Sequence, residues 1–176
     1  MAARTPQRED TAPQREDTQQ QNGCDPGERP IASYSALTAL FGGLTGGFAL
    51  WMRRSGRTLA ERPAAGDLLL ITLATHKLSR MIAKDRVTSA VRHPFTEYEG
   101  EGGPGEVEER AVGTGLRRAV GELLICPFCL GLWVAAGFTA ALAVAPRPAR
   151  WVAGVFASVF GADLLQIAYR KLEDQL

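Results

Sequence analysis

The apolar residues of this chain are gathered into four blocks separated by polar stretches, and that bunching decides the fold class. A helix needs about 20 mostly apolar residues to cross the hydrocarbon core of a bilayer. Averages conceal the pattern: 176 residues, 45% hydrophobic, net charge +1 and a mean hydropathy of -0.07 would suit a soluble protein. The blocks predict instead an all-α integral membrane helical bundle of about four transmembrane helices, the second one short. A near-zero charge gives no reason to expect a nucleic-acid partner.

Residues 1–33 are expected to form a disordered polar tail, with PQREDT at 6–11 repeated at 13–18. Gln, Pro, Arg, Glu and Asp bury too little surface to offset the entropy of ordering. No apolar stretch follows Arg4, so the tail does not read as a signal peptide. Cys24 lacks the apolar run that precedes a lipoprotein cysteine and reads as an unpaired thiol.

The first block, 34–52, is uncharged and reads as the first transmembrane helix, with Tyr34 and Trp51 as interfacial anchors. Gly42 and Gly46, and again Gly43 and Gly47, give small-xxx-small spacing that lets another helix approach. A homo-oligomer or another membrane protein is the expected partner of that face, beside the membrane lipids themselves. The second block, 64–83, loses its apolar character at His76, Lys77 and Arg80. It reads as a short spanning helix with a cationic end, the alternative being an interfacial helix. The third, 119–145, is the longest. The fourth, 151–169, is interrupted by Asp163. Between these two, PRPAR predicts a tight turn and hence a helical hairpin.

Four spans put both termini and the loop 84–118 on one side. That side carries Arg4, Arg8, Arg15, Arg29, Lys84, Arg86, Arg92, Arg110, Arg117, Arg118, Arg170 and Lys171. The other carries Arg53, Arg54, Arg57, Arg62, Arg147 and Arg150. The excess places both termini and the loop in the cytoplasm of a bacterial cell, the chain being a multi-pass protein of its membrane. The second half of the loop, glycine-rich with Glu99, Glu101, Glu106, Glu108 and Glu109, reads as a mobile excursion. Lys77, Arg80 and Lys84 form a stripe at a helix end, suited to lipid headgroups or a charged ligand.

Cys126-Pro-Phe-Cys129 admits three readings. The cysteines pack as small hydrophobes while Pro127 bends the helix. Alternatively they hold zinc or another thiolate-bound metal. In that case His76, at a matching depth of roughly 10 Å on a neighbouring helix, faces the pair and His93 or a carboxylate completes the shell. Two copies pooling their cysteines would also supply four sulfurs. In the third reading they form a redox dithiol: the motif is similar to that of glutaredoxin-type proteins, without the strand that precedes it there. No nucleophile–base pair, phosphate loop or carboxylate dyad argues for a conventional enzyme, and no cofactor is otherwise implied.

The segment ATHKLSRMIAKDRVTSAVRHPFTEYEG, with GTGLRRAVGELLICPFCLGLWVAAG after it, resembles the bacterial membrane-protein family known as domain of unknown function 1360. That family includes a sporulation-associated membrane protein. The likeness covers 67 to about 169, within a membrane domain of 64–170. It implies a small multi-span membrane protein and supplies no activity. The expected role is a structural or interaction component of the cell membrane, the alternative being thiol-redox or metal binding at the cysteine pair.

Overall fold

The computed structural model describes residues 31–57 and 63–175. The PQREDT repeat and Cys24 lie outside the described residues. The chain is mostly helical. Helix α1 (Ile31–Arg54) begins three residues before the expected boundary, because Ile31, Ala32 and Ser33 carry no charge and simply extend it. Helix α2 (Ala65–Lys84) matches the second block. Helices α5 (Pro127–Val144) and α6 (Pro146–Glu173) follow each other with only Ala145 between them. The two prolines therefore belong to the first turn of α6, where a missing N–H costs nothing, and not to a separate turn. The helical hairpin itself is present, since Phe138 of α5 meets Phe156 of α6 at 6.4 Å between ring centroids.

The third block is not one helix. It divides into α4 (Gly115–Ile125) and α5 at Cys126, whose backbone is extended at φ -103 and ψ 101. Proline disfavours the α conformation in the residue before it and removes the N–H that would continue the ladder. Pro127 thus ends one helix and starts another, where a bend was expected.

Contacts along the helices set their directions. Tyr34 meets Glu122, Phe41 stacks edge-on against Trp133 at 5.1 Å, and Arg57 reaches the Val144 carbonyl at 3.4 Å, so α1 runs parallel to α4 and α5. Asp67 pairs with Arg150 and Lys77 with Asp163, so α2 runs parallel to α6. Gly131 faces Thr75 and Ser79, and Phe138 joins Ile71, Ala74 and Ala153 in the main apolar cluster. Helix α2 is therefore antiparallel to α5. It is wedged between α5 and α6, with Ala74 and Ala153 almost wholly buried. Small residues at such seams let backbones approach closely, which gives helices dispersion energy even where lipid removes the hydrophobic drive.

Helices α1, α5 and α6 are long and apolar enough to cross a membrane, and only 6%, 11% and 6% of their apolar windows are buried. The charges on α2 keep it out of that class. The loop read as a mobile excursion is ordered. After a 3-10 turn (Arg86–Thr88) and the short α3 (Ser89–Arg92), strands β1 (Thr96–Glu101) and β2 (Val107–Ala111) form an antiparallel hairpin. Its turn has Pro104 second and Gly105 third at φ 79, with the Glu106 N–H donating to the Gly103 carbonyl at 2.8 Å. That is the type II arrangement, in which a left-handed third residue calls for glycine. The hairpin is the one departure from an all-α chain among the described residues.

Candidate functional site

The three cations read as a headgroup stripe do not face outward unpaired. The Lys77 Nζ lies 2.9 Å from Asp163 Oδ2. The Arg80 guanidinium grips Glu106 with two parallel bonds of 2.7 and 2.8 Å. Lys84 meets Glu108 at 2.6 Å. Each acid expected to drift in a mobile loop has a base: Glu99 lies 3.7 Å from Arg110, Glu101 pairs with Arg86, and Glu109 pairs with Arg92. Surface pairs of this kind contribute little singly. Together they specify how the hairpin lies across the end of α2.

Between α2, α6 and the hairpin turn opens a cleft of ≈ 450 Å³. Its charged lining is Lys77, Arg80, Asp85, Glu106, Asp163 and Arg170, with His76 and Gln166 beside them. His76 stacks edge-on against Phe160 of α6 at 5.0 Å. Asp85 ends α2 and is half-buried. Burial pushes its carboxyl above the ordinary value, and Lys77 pulls part of that back. Leu164 and Ile167 add an apolar wall. The arrangement suits binding of a small charged or zwitterionic group.

Behind the cleft lies a buried ion pair. Arg92 is fully inaccessible, and its Nε and Nη2 donate to Glu109 at 2.9 and 3.0 Å. Its Nη1 also donates to the Ile82 carbonyl at 2.5 Å and to Thr88 Oγ1 at 2.7 Å, and Nη2 to the Asp85 carbonyl at 3.2 Å. Ser89 and Thr96 donate to the two Glu109 oxygens at 2.5 and 2.7 Å. Burial raises the Glu109 pKa, but those donors and the Arg92 charge outweigh it and hold the carboxyl at about 2. One pair thus ties α2, α3 and both strands together.

The cysteine pair sits elsewhere. Cys126 caps the N-terminus of α5, its Sγ accepting the Cys129 N–H at 3.2 Å. Cys129 lines a groove with Tyr34, Phe41 and Trp133 on the α1 side. The expected meeting with His76 does not occur, since His76 turns to α6. His93 is exposed beyond α3. Among the described residues no three His, Cys, Asp or Glu side chains gather closely enough to hold a metal. The two cysteines stay together, Cys126 capping the turn that carries Cys129; what the pair lacks among the described residues is a third ligand.

The cap gives a discriminating test of the thiols. Serine in place of Cys126 would preserve an N-cap acceptor and alanine would not. Cys126→Ala should therefore cost about 1 kcal/mol and Cys126→Ser only a fraction of that. Thermal melting in detergent reads the difference. Equal losses from both substitutions would show that the sulfur does more than cap. The α1 glycines face outward, and a Cβ added at Gly42, Gly43, Gly46 or Gly47 meets nothing within 4 Å.

Sequence reasoning found His76, Lys77 and Arg80 but missed Asp85, Glu106 and the Arg92–Glu109 pair. A signal for the hairpin existed in Gly-Pro-Gly between TEYEGE and VEERA, a turn between two short alternating runs.

Comparison with known proteins follows the same boundaries. A family model described as "Protein of unknown function (DUF1360)" matches residues 70–169. A Bacillus subtilis (strain 168) protein named "Sporulation protein YjcA" is 32% identical over 107 residues, 59% of this chain and 91% of that relative. No solved structure matches the chain.

Proposed function

This chain belongs to the DUF1360 family, and from that premise we propose that it is a multi-pass protein of the bacterial cell membrane, acting there as a structural or interaction component. The observation that carries the reading is the exposed apolar surface of α1, α5 and α6. Leu40, Leu44, Leu50 and Trp51 of α1, Leu132 of α5, and Trp151, Val155 and Leu165 of α6 all stand open. Soluble monomers rarely present such a continuous patch to water.

Four spans follow if α2 crosses with them. The helix directions support this, for α1, α2, α5 and α6 alternate along the chain. Helix α2 is shielded by α5 and α6, and Lys77 is neutralised by Asp163 in the α6 span, a pairing that intramembrane charges require. Both termini and the hairpin then share the cytoplasmic side. Alkaline phosphatase inserted after Arg57 should be active, and green fluorescent protein fused after Leu176 should fluoresce. Fluorescence at both positions would overturn the four-span topology. A chain that stays folded and monomeric in detergent-free buffer would overturn the membrane reading altogether.

Assembly runs through the outward glycine face of α1, against a second copy or another membrane protein. The open space beyond all four glycines supports it. Gly43→Leu with Gly47→Leu should abolish crosslinks between copies in membranes while leaving the melting temperature in place. Unchanged crosslinking would take that face out of a homo-oligomeric interface. The name of the Bacillus subtilis relative supports a role in a sporulation-related or envelope process.

A further inference from the structure

Six charged side chains line the cleft, and four of them satisfy one another as Lys77–Asp163 and Arg80–Glu106. Asp85 and Arg170 differ: among the described residues neither side chain has an ion-pair or hydrogen-bond partner. Lys77 acts on Asp85 through space but is bonded to Asp163. A half-buried carboxylate and an arginine with no such partner therefore line one cavity, next to an apolar wall of Leu164 and Ile167. Its occupant should carry a cation, an oxyanion and an apolar portion.

We propose that this cleft binds the headgroup of a phosphoethanolamine lipid, the ammonium on Asp85 and the phosphate on Arg170, with the acyl chains leaving along Leu164 and Ile167. The proposal rests on the membrane reading above, which puts this end of α2 and α6 at the bilayer surface. A primary ammonium gives Asp85 charge-assisted N–H donors that a quaternary ammonium lacks. A purely anionic headgroup satisfies Arg170 but brings its charge toward Asp85, Glu106 and Asp163, where like charges repel. The cleft is thereby selective on both sides of its charge balance. It also moves lipid recognition away from the Lys77, Arg80 and Lys84 stripe, whose charges are already met by protein carboxylates.

The test uses the full chain in detergent, with phosphatidylethanolamine, phosphatidylcholine and phosphatidylglycerol titrated at matched chain length. Native mass spectrometry reads occupancy and thermal melting reads stabilisation. Phosphatidylethanolamine should bind about tenfold tighter than either competitor, and Asp85→Asn or Arg170→Gln should each remove about that factor. Neither substitution deletes a hydrogen bond of the fold, so the lipid-free melting temperature should hold. Lys171→Gln, outside the cleft lining, should keep the preference. Equal binding of the three lipids, or a preference surviving both cleft variants, overturns the proposal. If soluble phosphoethanolamine at the same concentration reproduces the whole effect, the lipid assignment falls in favour of a free zwitterion. Failure of the membrane reading shows itself separately, as a chain that needs no detergent.

Discussion

Replacing Arg92 with alanine should cost about 3–5 kcal/mol of stability, the typical result of leaving one member of a buried ion pair without its partner. Arg92 is wholly inaccessible and Glu109 nearly so, so water cannot take over the lost bonds. Five donor contacts from Arg92 reach Glu109, Thr88 and the carbonyls of Ile82 and Asp85. The loss should appear as a large fall in melting temperature in detergent, with protease cleavage confined first to 85–111. Glu109→Gln should cost less, because a neutral amide still accepts from some of the same donors. If Arg92→Ala melts like the parent chain, the pair does not hold the hairpin in place.

Glu109 also confers a pH dependence with a definite sign. Its pKa falls on folding from the ordinary 4.5 to about 2. The unfolded chain therefore binds the proton more readily, and acid favours unfolding. The contribution is on the order of 3 kcal/mol. It is fully present above pH about 4.5, declines as the pH drops, and is gone once the pH falls below about 2. Melting temperatures recorded from pH 6 to pH 3 should decline more steeply for the parent than for Glu109→Gln. Parallel curves would remove this carboxylate from the acid response.

The second large effect is steric. Gly121 of α4 lies against the hairpin, where a Cβ would fall 2.5 Å from the Phe95 carbonyl oxygen and 2.9 Å from the Ala111 Cβ. The Phe95 carbonyl also accepts the Val112 N–H at 3.0 Å, so it is held and cannot swing aside. Overpacking of this kind costs about 1–3 kcal/mol, and more where the obstacle is backbone. Gly121→Ala should stand at the upper end of that range, and Gly121→Val should prevent the hairpin from docking. Gly42→Ala supplies the control. It meets open space and replaces a poor helix former with a good one, so it should be neutral or slightly stabilising. Equal melting of Gly121→Ala and Gly42→Ala would show that α4 and the hairpin are not in close contact.

The helices were legible because composition alone marks them: long uncharged runs have few alternatives to helix. Their breaks were less so. Pro127 bends or ends a helix depending on whether the preceding residue turns extended, and Cys126 does turn extended. The hairpin was obscured by its own glutamates, which look like solvated loop until their bases on α2 and α3 are in place. For the same reason Arg92–Glu109 could not be picked out: nothing local distinguishes it from other charges, and its seventeen-residue separation closes only when α3 and β2 meet. The cleft inherits this difficulty, since Asp85 and Glu106 are brought to it from well-separated points of the loop.

The matching of acids on the hairpin to bases on α2, the 3-10 turn, α3 and β2 also bears on biogenesis. Orientation during insertion follows lysine and arginine near the spans, while aspartate and glutamate count for little. On the membrane reading proposed above, Lys84, Arg86, Arg92 and Arg110 would be read by the translocation machinery before β1 and β2 have formed. Once folded, the same residues are paired with carboxylates, so on that reading the finished protein would hide the signal that oriented it. A chain with glutamine at 101, 106, 108 and 109 should thread in the same sense and then fail to close its hairpin, separating the instruction for direction from the instruction for shape.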